Sequence, residues 1–127
     1  MKVPYFEPWI TETDKKFVIS SLNQRWLTNG PFLKKFENKF KQFIDTKFSI
    51  GVGSATQALH LSLRCMNLNS NDEVIVPTFT FAATANAVKY CDANPVLVDV
   101  DSDTFNISTN QIEKNITKKT KGIVVGH

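Results

Sequence analysis

Cysteine, glycine and proline are all scarce in this sequence, whose 127 residues include two Cys, five Gly and five Pro. So little glycine and proline excludes a collagen-like or low-complexity chain. Cys65 and Cys91 are too few and too far apart for a disulfide scaffold or a zinc cluster, which fits a reducing compartment, and we expect both to pack in the interior. With 42% hydrophobic residues, the chain is predicted to form one globular domain with its own core.

Long apolar runs are also missing. No stretch approaches the roughly 20 apolar residues of a transmembrane helix, and residues 1–10 lack the apolar centre of a signal peptide. We therefore expect a cytoplasmic protein with no membrane partner. The net charge of +3 is spread along the chain without a basic stripe, so we expect no nucleic-acid partner.

The sequence contains no metal-binding or triad spacing. His60 falls within a predicted helix and His127 ends the chain, so neither has an evident partner for catalysis. The spacing Asp99-x-Asp101-x-Asp103 resembles the start of a calcium loop. The positions that require Gly and Glu hold Thr104 and Asn110, however, which predicts a polar strand-to-helix turn and no metal.

Residues 1–45 are predicted to form a helical segment. Thr11 and the acidic residues after it are typical of a capped helix start, and we expect this helix to end near Asn23. Pro31 marks the first turn of a second helix. The apolar residues of this helix form an aromatic stripe that we expect in the core: Phe32, Phe36, Phe40 and Phe43.

From residue 46 to residue 127, strand patterns alternate with helix patterns. This alternation predicts an α/β fold with a largely parallel sheet. The predicted strands are 48–52, 73–76, 95–100 and 122–125. Two of the predicted helices begin at the capping boxes Ser54-x-x-Gln57 and Ser108-x-x-Gln111. A third helix is predicted between them, at residues 81–90. Because the last apolar strand stops at Gly126-His127 with no tail, we expect this chain to be part of a longer protein.

Two sites follow from the rule that ligands collect at the carboxyl ends of parallel strands. The first is the turn Gly53–Gln57, where free N–H groups at a helix start suit a phosphate, although Ser54 could equally serve only as a helix cap. Gly51-x-Gly53 also begins a dinucleotide fingerprint. Its third Gly is missing and Asp72 starts the next strand rather than ending it, so NAD binding is weakly supported.

The second site is Pro77–Phe81, between a strand end and a helix start. An aromatic side chain there can cover the flat face of a bound ring while a threonine caps the helix. Alternatively, Phe79 and Phe81 both belong to the core, as phenylalanines often do. The residues alone leave this choice open.

Five blocks, in order, resemble the N-terminal part of the DegT/StrS-type nucleotide-sugar aminotransferases. They are spread over most of the chain: 26–37 with Trp-Leu-Thr-Asn-Gly-Pro, 53–61 with Gly-Ser-Ala-Thr-Gln-Ala-Leu-His-Leu, 72–87 with Val-Pro-Thr-Phe-Thr-Phe, 95–101 and 117–123. The resemblance implies the large domain of a fold-type-I enzyme with pyridoxal 5′-phosphate (PLP) as its cofactor.

The resemblance assigns roles to individual residues. The cofactor phosphate would rest on Ala55, Thr56 and Gln57, and Phe81 would stack on the cofactor ring. Tyr5 and the segment Arg25–Thr28, with Trp26, Leu27 and Thr28, match places that contact the sugar nucleotide. A homodimer with shared active sites is also implied.

The implied reaction moves an amino group from an amino acid, commonly glutamate, to a nucleotide-linked keto-sugar. It needs a Schiff-base lysine and an aspartate, and both lie in the family beyond the position of His127. We therefore expect this chain alone to be inactive. A histidine at the lysine position would instead indicate a keto-sugar dehydratase, and a non-catalytic truncated binding module is a third reading.

Overall fold

The computed structural model describes residue 4 and residues 6–126. The chain divides into two compact units, Met1–Gly51 and Val52–His127. Within the described residues, the first unit contains α1 (Glu12–Leu22) and α2 (Pro31–Phe43). The second contains α3 (Ala55–Arg64), β1 (Glu73–Pro77), α4 (Ala83–Lys89), β2 (Asn94–Val98), α5 (Thr109–Asn115) and β3 (Thr120–Ile123). The predicted α/β class is confirmed. None of the described helices is both long enough and apolar enough to cross a bilayer.

Helix α1 starts at the predicted cap. The Thr11 hydroxyl accepts a hydrogen bond from the Asp14 N–H at 3.3 Å, and the Asp14 carboxylate accepts from the Thr11 N–H at 2.7 Å. This reciprocal pair satisfies two N–H groups that the helix leaves without partners. The hydrogen bond from the Thr11 hydroxyl, followed by the one from its backbone, lowers the pKa of Asp14 from its ordinary value of 3.8.

Acid should therefore weaken the start of α1. Because the folded-state pKa of Asp14 is lowered, its contribution is present above the unfolded value of 3.8 and is lost as the pH falls through the lower folded value. We expect the protection of the amides in the first turn of α1, measured relative to their intrinsic exchange rates, to fall below about pH 4. Asp14→Asn should flatten this dependence, whereas Glu12→Gln, which removes a charge from the same turn, should preserve it.

Helix α2 begins at Pro31, as predicted. The expectation that its aromatic stripe is core is wrong for this chain, because Phe36, Phe40 and Phe43 are all exposed. Phe36 and Phe40 contact each other, with ring centroids 5.8 Å apart. Phe32, the fourth residue of the predicted stripe, is half-buried, so the helical spacing predicted a shared face but not its exposure.

The strand predicted at 48–52 does not form. Phe48 and Ile50 are 82% and 81% exposed, and the segment pairs with no strand in the described part of the chain. The Gly51 N–H donates instead to the Glu37 carboxylate on α2, at 2.8 Å. A strand exists only with a partner backbone, and here a side chain takes the N–H that a partner strand would use.

The sheet has three parallel strands in the order β2-β1-β3. The central strand β1 buries alternate residues on opposite faces. Val74 and Val76 pack in one cluster with Leu63 of α3 and with Ala87 and Val88 of α4. On the other face, Ile75 packs with Val98 and Ile107, and Ile112 of α5 lies against this second cluster. Helices therefore cover both faces of β1, which explains its continuous apolar sequence.

Several helix and strand ends differ from the predictions: β2 spans Asn94–Val98 rather than 95–100, and β3 spans Thr120–Ile123 rather than 122–125. Helix α4 starts at Ala83 rather than at residue 81, and no side chain caps it. The predicted threonine cap does not form because Ala82 holds the N-cap position, and the hydroxyls of Thr80 and Thr84 hydrogen-bond to each other, 3.0 Å apart. Helix α5 is capped by Ser108, as predicted.

Cys91 is buried as expected, whereas Cys65 is exposed at the end of α3, which corrects its predicted packing role.

Candidate functional site

The first candidate site is the start of α3. The Ser54 hydroxyl accepts from the Gln57 N–H at 3.3 Å, and the Gln57 amide oxygen accepts from the Gly53 N–H at 2.9 Å. The predicted capping interaction thus forms, with its second bond shifted from Ser54 to Gly53. In the described part of the chain, no hydrogen bond uses the N–H of Ala55 or Thr56. Two donors and the positive end of the helix dipole therefore remain for an anion.

The second candidate site is the loop 78–81, which follows β1. Phe81 is 84% exposed and Phe79 is 67% exposed, so the alternative that both belong to the core is wrong in this chain. The loop is tied at its start, where the Thr78 N–H donates to the Val98 carbonyl at 2.9 Å. An exposed ring at the carboxyl end of a buried parallel strand is placed where α/β proteins bind ligands.

A tight turn lies beside this loop. The Asp101 carboxylate accepts from the Asp103 N–H at 3.1 Å, from the Thr104 N–H at 3.0 Å and from the Thr104 hydroxyl at 3.1 Å. These bonds, that from the Thr104 backbone first, lower the pKa of Asp101 below its ordinary value. The predicted polar turn between β2 and α5 is confirmed. Within the described residues, no group of three His, Cys, Asp or Glu side chains is placed to hold a metal ion.

A cleft of about 260 Å³ lies where β1 ends. Its walls include the rings of Phe79 and Phe105, whose centroids are 5.5 Å apart, and the polar side chains of Thr80, Thr104 and Asn106. The position of this cleft at the carboxyl edge of the sheet agrees with the rule used for the sequence. Sequence reasoning missed Phe105 as part of this wall. The Asp101-x-x-Thr104 spacing is the signal that could have located the turn.

The substrate residues implied by the resemblance lie in the first unit. Trp26, Leu27 and Thr28 are exposed in the connection between α1 and α2, and Trp26 lines a shallow pocket of about 150 Å³ with Pro31. Tyr5 lies outside the described residues. Three of these four residues are consecutive in the sequence, and the structure leaves all three exposed.

Comparison with known proteins identifies the family. The model of the DegT/DnrJ/EryC1/StrS aminotransferase family matches residues 8–127. The chain belongs to this family, and the resemblance drawn from the sequence blocks is confirmed.

Individual relatives agree with this assignment. The chain is 44% identical over 125 residues to the uncharacterized protein MJ1066 of Methanocaldococcus jannaschii, covering 98% of this chain and 32% of that protein. It is 40% identical over 126 residues to the GDP-perosamine synthase of Escherichia coli O157:H7, covering 98% and 35%. The chain therefore spans about a third of the length of these curated relatives.

Solved structures give the same result. The putative sugar aminotransferase Spr1654 from Streptococcus pneumoniae matches in its PMP form with a TM-score of 0.88 and 36% identity, covering 98% of this chain and 32% of that one. Its PLP form matches with a TM-score of 0.86. The family is PLP-dependent, so PLP is the cofactor that the two candidate sites must fit.

The described residues fit both ends of the PLP cofactor, its phosphate and its pyridine ring. A phosphate needs hydrogen-bond donors, and the N–H groups of Ala55 and Thr56 supply two that are otherwise unused. A pyridine ring needs a flat apolar surface, and the Phe81 ring offers one because it is 84% exposed.

Proposed function

We propose that this chain is the N-terminal part of a PLP-dependent aminotransferase that acts on a nucleotide-linked keto-sugar. The amino group comes from an amino acid, with glutamate as the proposed donor. The observation that carries the proposal is the start of α3, where capping by Ser54 leaves the N–H groups of Ala55 and Thr56 without partners among the described residues. The names of the relatives, a GDP-perosamine synthase among them, support the nucleotide-sugar class.

Bound PLP supplies an electron sink that lets a carbon–nitrogen bond be remade between two substrates. The residues of this chain hold and orient the cofactor. Ala55 and Thr56 would hold the phosphate through their N–H groups, the Thr56 hydroxyl would add a further donor, and Gln57 would extend this phosphate seat at the next position of α3. Phe81 would cover one face of the ring and exclude water from it. Residues 46–127 form the first part of the cofactor-binding domain.

Substrate recognition is proposed for the first unit. Trp26, Leu27 and Thr28 are exposed side chains of one segment, and with Tyr5 we propose that they contact the sugar nucleotide. The family resemblance also leads us to propose a homodimer. Sedimentation of the protein that contains this chain tests this, since a monomer would contradict it.

The reaction can be tested directly. We expect the protein that contains this chain to bind PLP and to convert a GDP-linked keto-sugar plus glutamate into a GDP-linked amino sugar plus 2-oxoglutarate. Mass spectrometry of the sugar nucleotide would detect the replacement of C=O by CH–NH₂. NAD serves as a control cofactor that should not bind.

Each other outcome has a defined meaning. Loss of a sugar hydroxyl without gain of nitrogen would identify a dehydratase and contradict the proposed transamination. A protein that binds neither PLP nor the sugar nucleotide would contradict the proposed enzyme altogether and favour a non-catalytic module.

A further inference from the structure

Phe105 has an unusual backbone conformation for a bulky residue. Its φ angle is 58°, in the left-handed region that glycine and asparagine normally occupy. Such a conformation is costly and persists only when surrounding contacts impose it. The Asp103 N–H, the Thr104 N–H and the Thr104 hydroxyl donate hydrogen bonds to the Asp101 carboxylate, and the turn that these bonds hold leads directly into Phe105.

Backbone hydrogen bonds close the same turn. The Phe105 N–H donates to the Asp101 carbonyl at 2.9 Å, and the Asp101 N–H donates to the Asn106 carbonyl at 2.9 Å. Val100 and Ile107 form an antiparallel bridge across its base. Asp101 therefore takes part in the turn through its N–H, its carbonyl and its carboxylate.

The turn reaches the loop that carries Phe81. The Phe105 ring lies against the Phe79 ring, with centroids 5.5 Å apart. Phe79 stands between Thr78, which is bonded to β2 through the Val98 carbonyl, and Thr80, which is bonded to the Thr84 hydroxyl. Each of the three residues before Phe81 is thus held by a contact. The contact that holds Phe79 is with Phe105, which follows the Asp101 turn.

We propose that Asp101 is a positioning residue for Phe81: its carboxylate sets the turn that presses Phe105 against Phe79, and this contact fixes the direction in which the loop 78–81 presents the Phe81 ring. The inference rests on the proposed function, because Phe81 is the residue that covers the PLP ring there. Asp101 itself is not a catalytic residue.

The test uses the protein that contains this chain and four variants: Asp101→Ala, Asp101→Asn, Phe81→Ala and the Asp101→Ala/Phe81→Ala double variant. Without cofactor, Asp101→Ala should speed amide exchange at Thr78 and Thr84, whose N–H groups donate to the Val98 and Phe81 carbonyls and so report on the two ends of the loop. With PLP, both single alanine variants should raise Kd about three- to tenfold, the range expected for losing one aromatic stacking contact. In the Phe81→Ala background, Asp101→Ala should add nothing further. Asp101→Asn should restore most of the affinity, because an amide oxygen accepts the same hydrogen bonds.

Asp103→Ala is the matched control. It removes a carboxylate from the same turn, but that carboxylate accepts no backbone N–H in the described structure. We expect wild-type exchange and wild-type PLP affinity from it.

The possible failures are distinguishable. A wild-type protein that binds no PLP contradicts the proposed function, and the exchange data at Thr78 and Thr84 then decide alone whether Asp101 orders the loop. Equal exchange in Asp101→Ala and Asp103→Ala overturns the inference. Losses of affinity that add in the double variant also overturn it, because they would show that Asp101 acts independently of Phe81.

Discussion

Replacing Ile75 with Ala should destabilise the protein by about 2 to 5 kcal/mol, the range for removing a fully buried aliphatic side chain. Ile75 is 0% exposed at the centre of β1, and it packs with Val98 of β2 and with Ile107. Truncation would leave a cavity that two paired strands cannot close without breaking their register. The midpoint of urea unfolding, followed by circular dichroism, measures the loss.

Leu97→Ala is the matched control for this prediction. Leu97 lies on the neighbouring strand β2, one residue past the Val96 that pairs with Ile75, but it is 59% exposed. We expect a loss well below that of Ile75→Ala. If the two variants unfold at the same midpoint, the cluster around Ile75 does not stabilise the fold as a hydrophobic core should.

The parts of the fold that the sequence predicted well are those whose signals are local. The first helix is fixed by a cap that Thr11 and Asp14 make between themselves, and Ser54 and Ser108 do the same for α3 and α5. The run 73–76 is apolar at successive positions because β1 is covered on both faces. In each of these segments the capping partner lies only a few residues away, or the apolar run itself indicates burial. The sequence alone is therefore sufficient to predict them.

The predictions that were wrong concern segments whose structure depends on residues far away in the sequence. The pattern at 48–52 alternates as a strand should, but alternation cannot say whether a partner strand exists, and the Gly51 N–H is taken by Glu37. Likewise, the spacing of Phe36, Phe40 and Phe43 defines a helix face without saying what lies over it. In both cases the local propensity is right and the tertiary environment decides the outcome.

The candidate site shows the same division. The free helix start of the proposed phosphate seat was predictable, because Gly53–Gln57 is a continuous motif at one helix start. Whether Phe81 belongs to the core could not be decided until its exposure was known. The contact of Phe105 with Phe79 was not predictable, since it involves a phenylalanine at a φ angle of 58° directly after the Asp101 turn.

Replacing Ala55 with Pro should weaken PLP binding about ten- to a hundredfold while leaving the fold intact. A hydrogen bond to a charged group contributes roughly 1.5 to 3 kcal/mol, and proline removes the Ala55 N–H that would donate to the phosphate. Proline suits the first position of a helix, because the N–H there has no partner within the helix. The preceding residue also accepts proline, since Ser54 is extended with ψ near 160°. Equilibrium titration with PLP measures the change in Kd.

Thr109→Pro separates loss of the donor from any general effect of proline. Thr109 is the first residue of α5, and the Ser108 before it is extended and caps the helix through its side chain, as Ser54 does for α3. The same substitution is therefore made in the same local geometry, away from the phosphate seat. We expect both variants to unfold near the wild-type midpoint and only Ala55→Pro to lose affinity. If Thr109→Pro weakens PLP binding as much, or if Ala55→Pro retains wild-type Kd, the N–H groups at the start of α3 do not hold the phosphate.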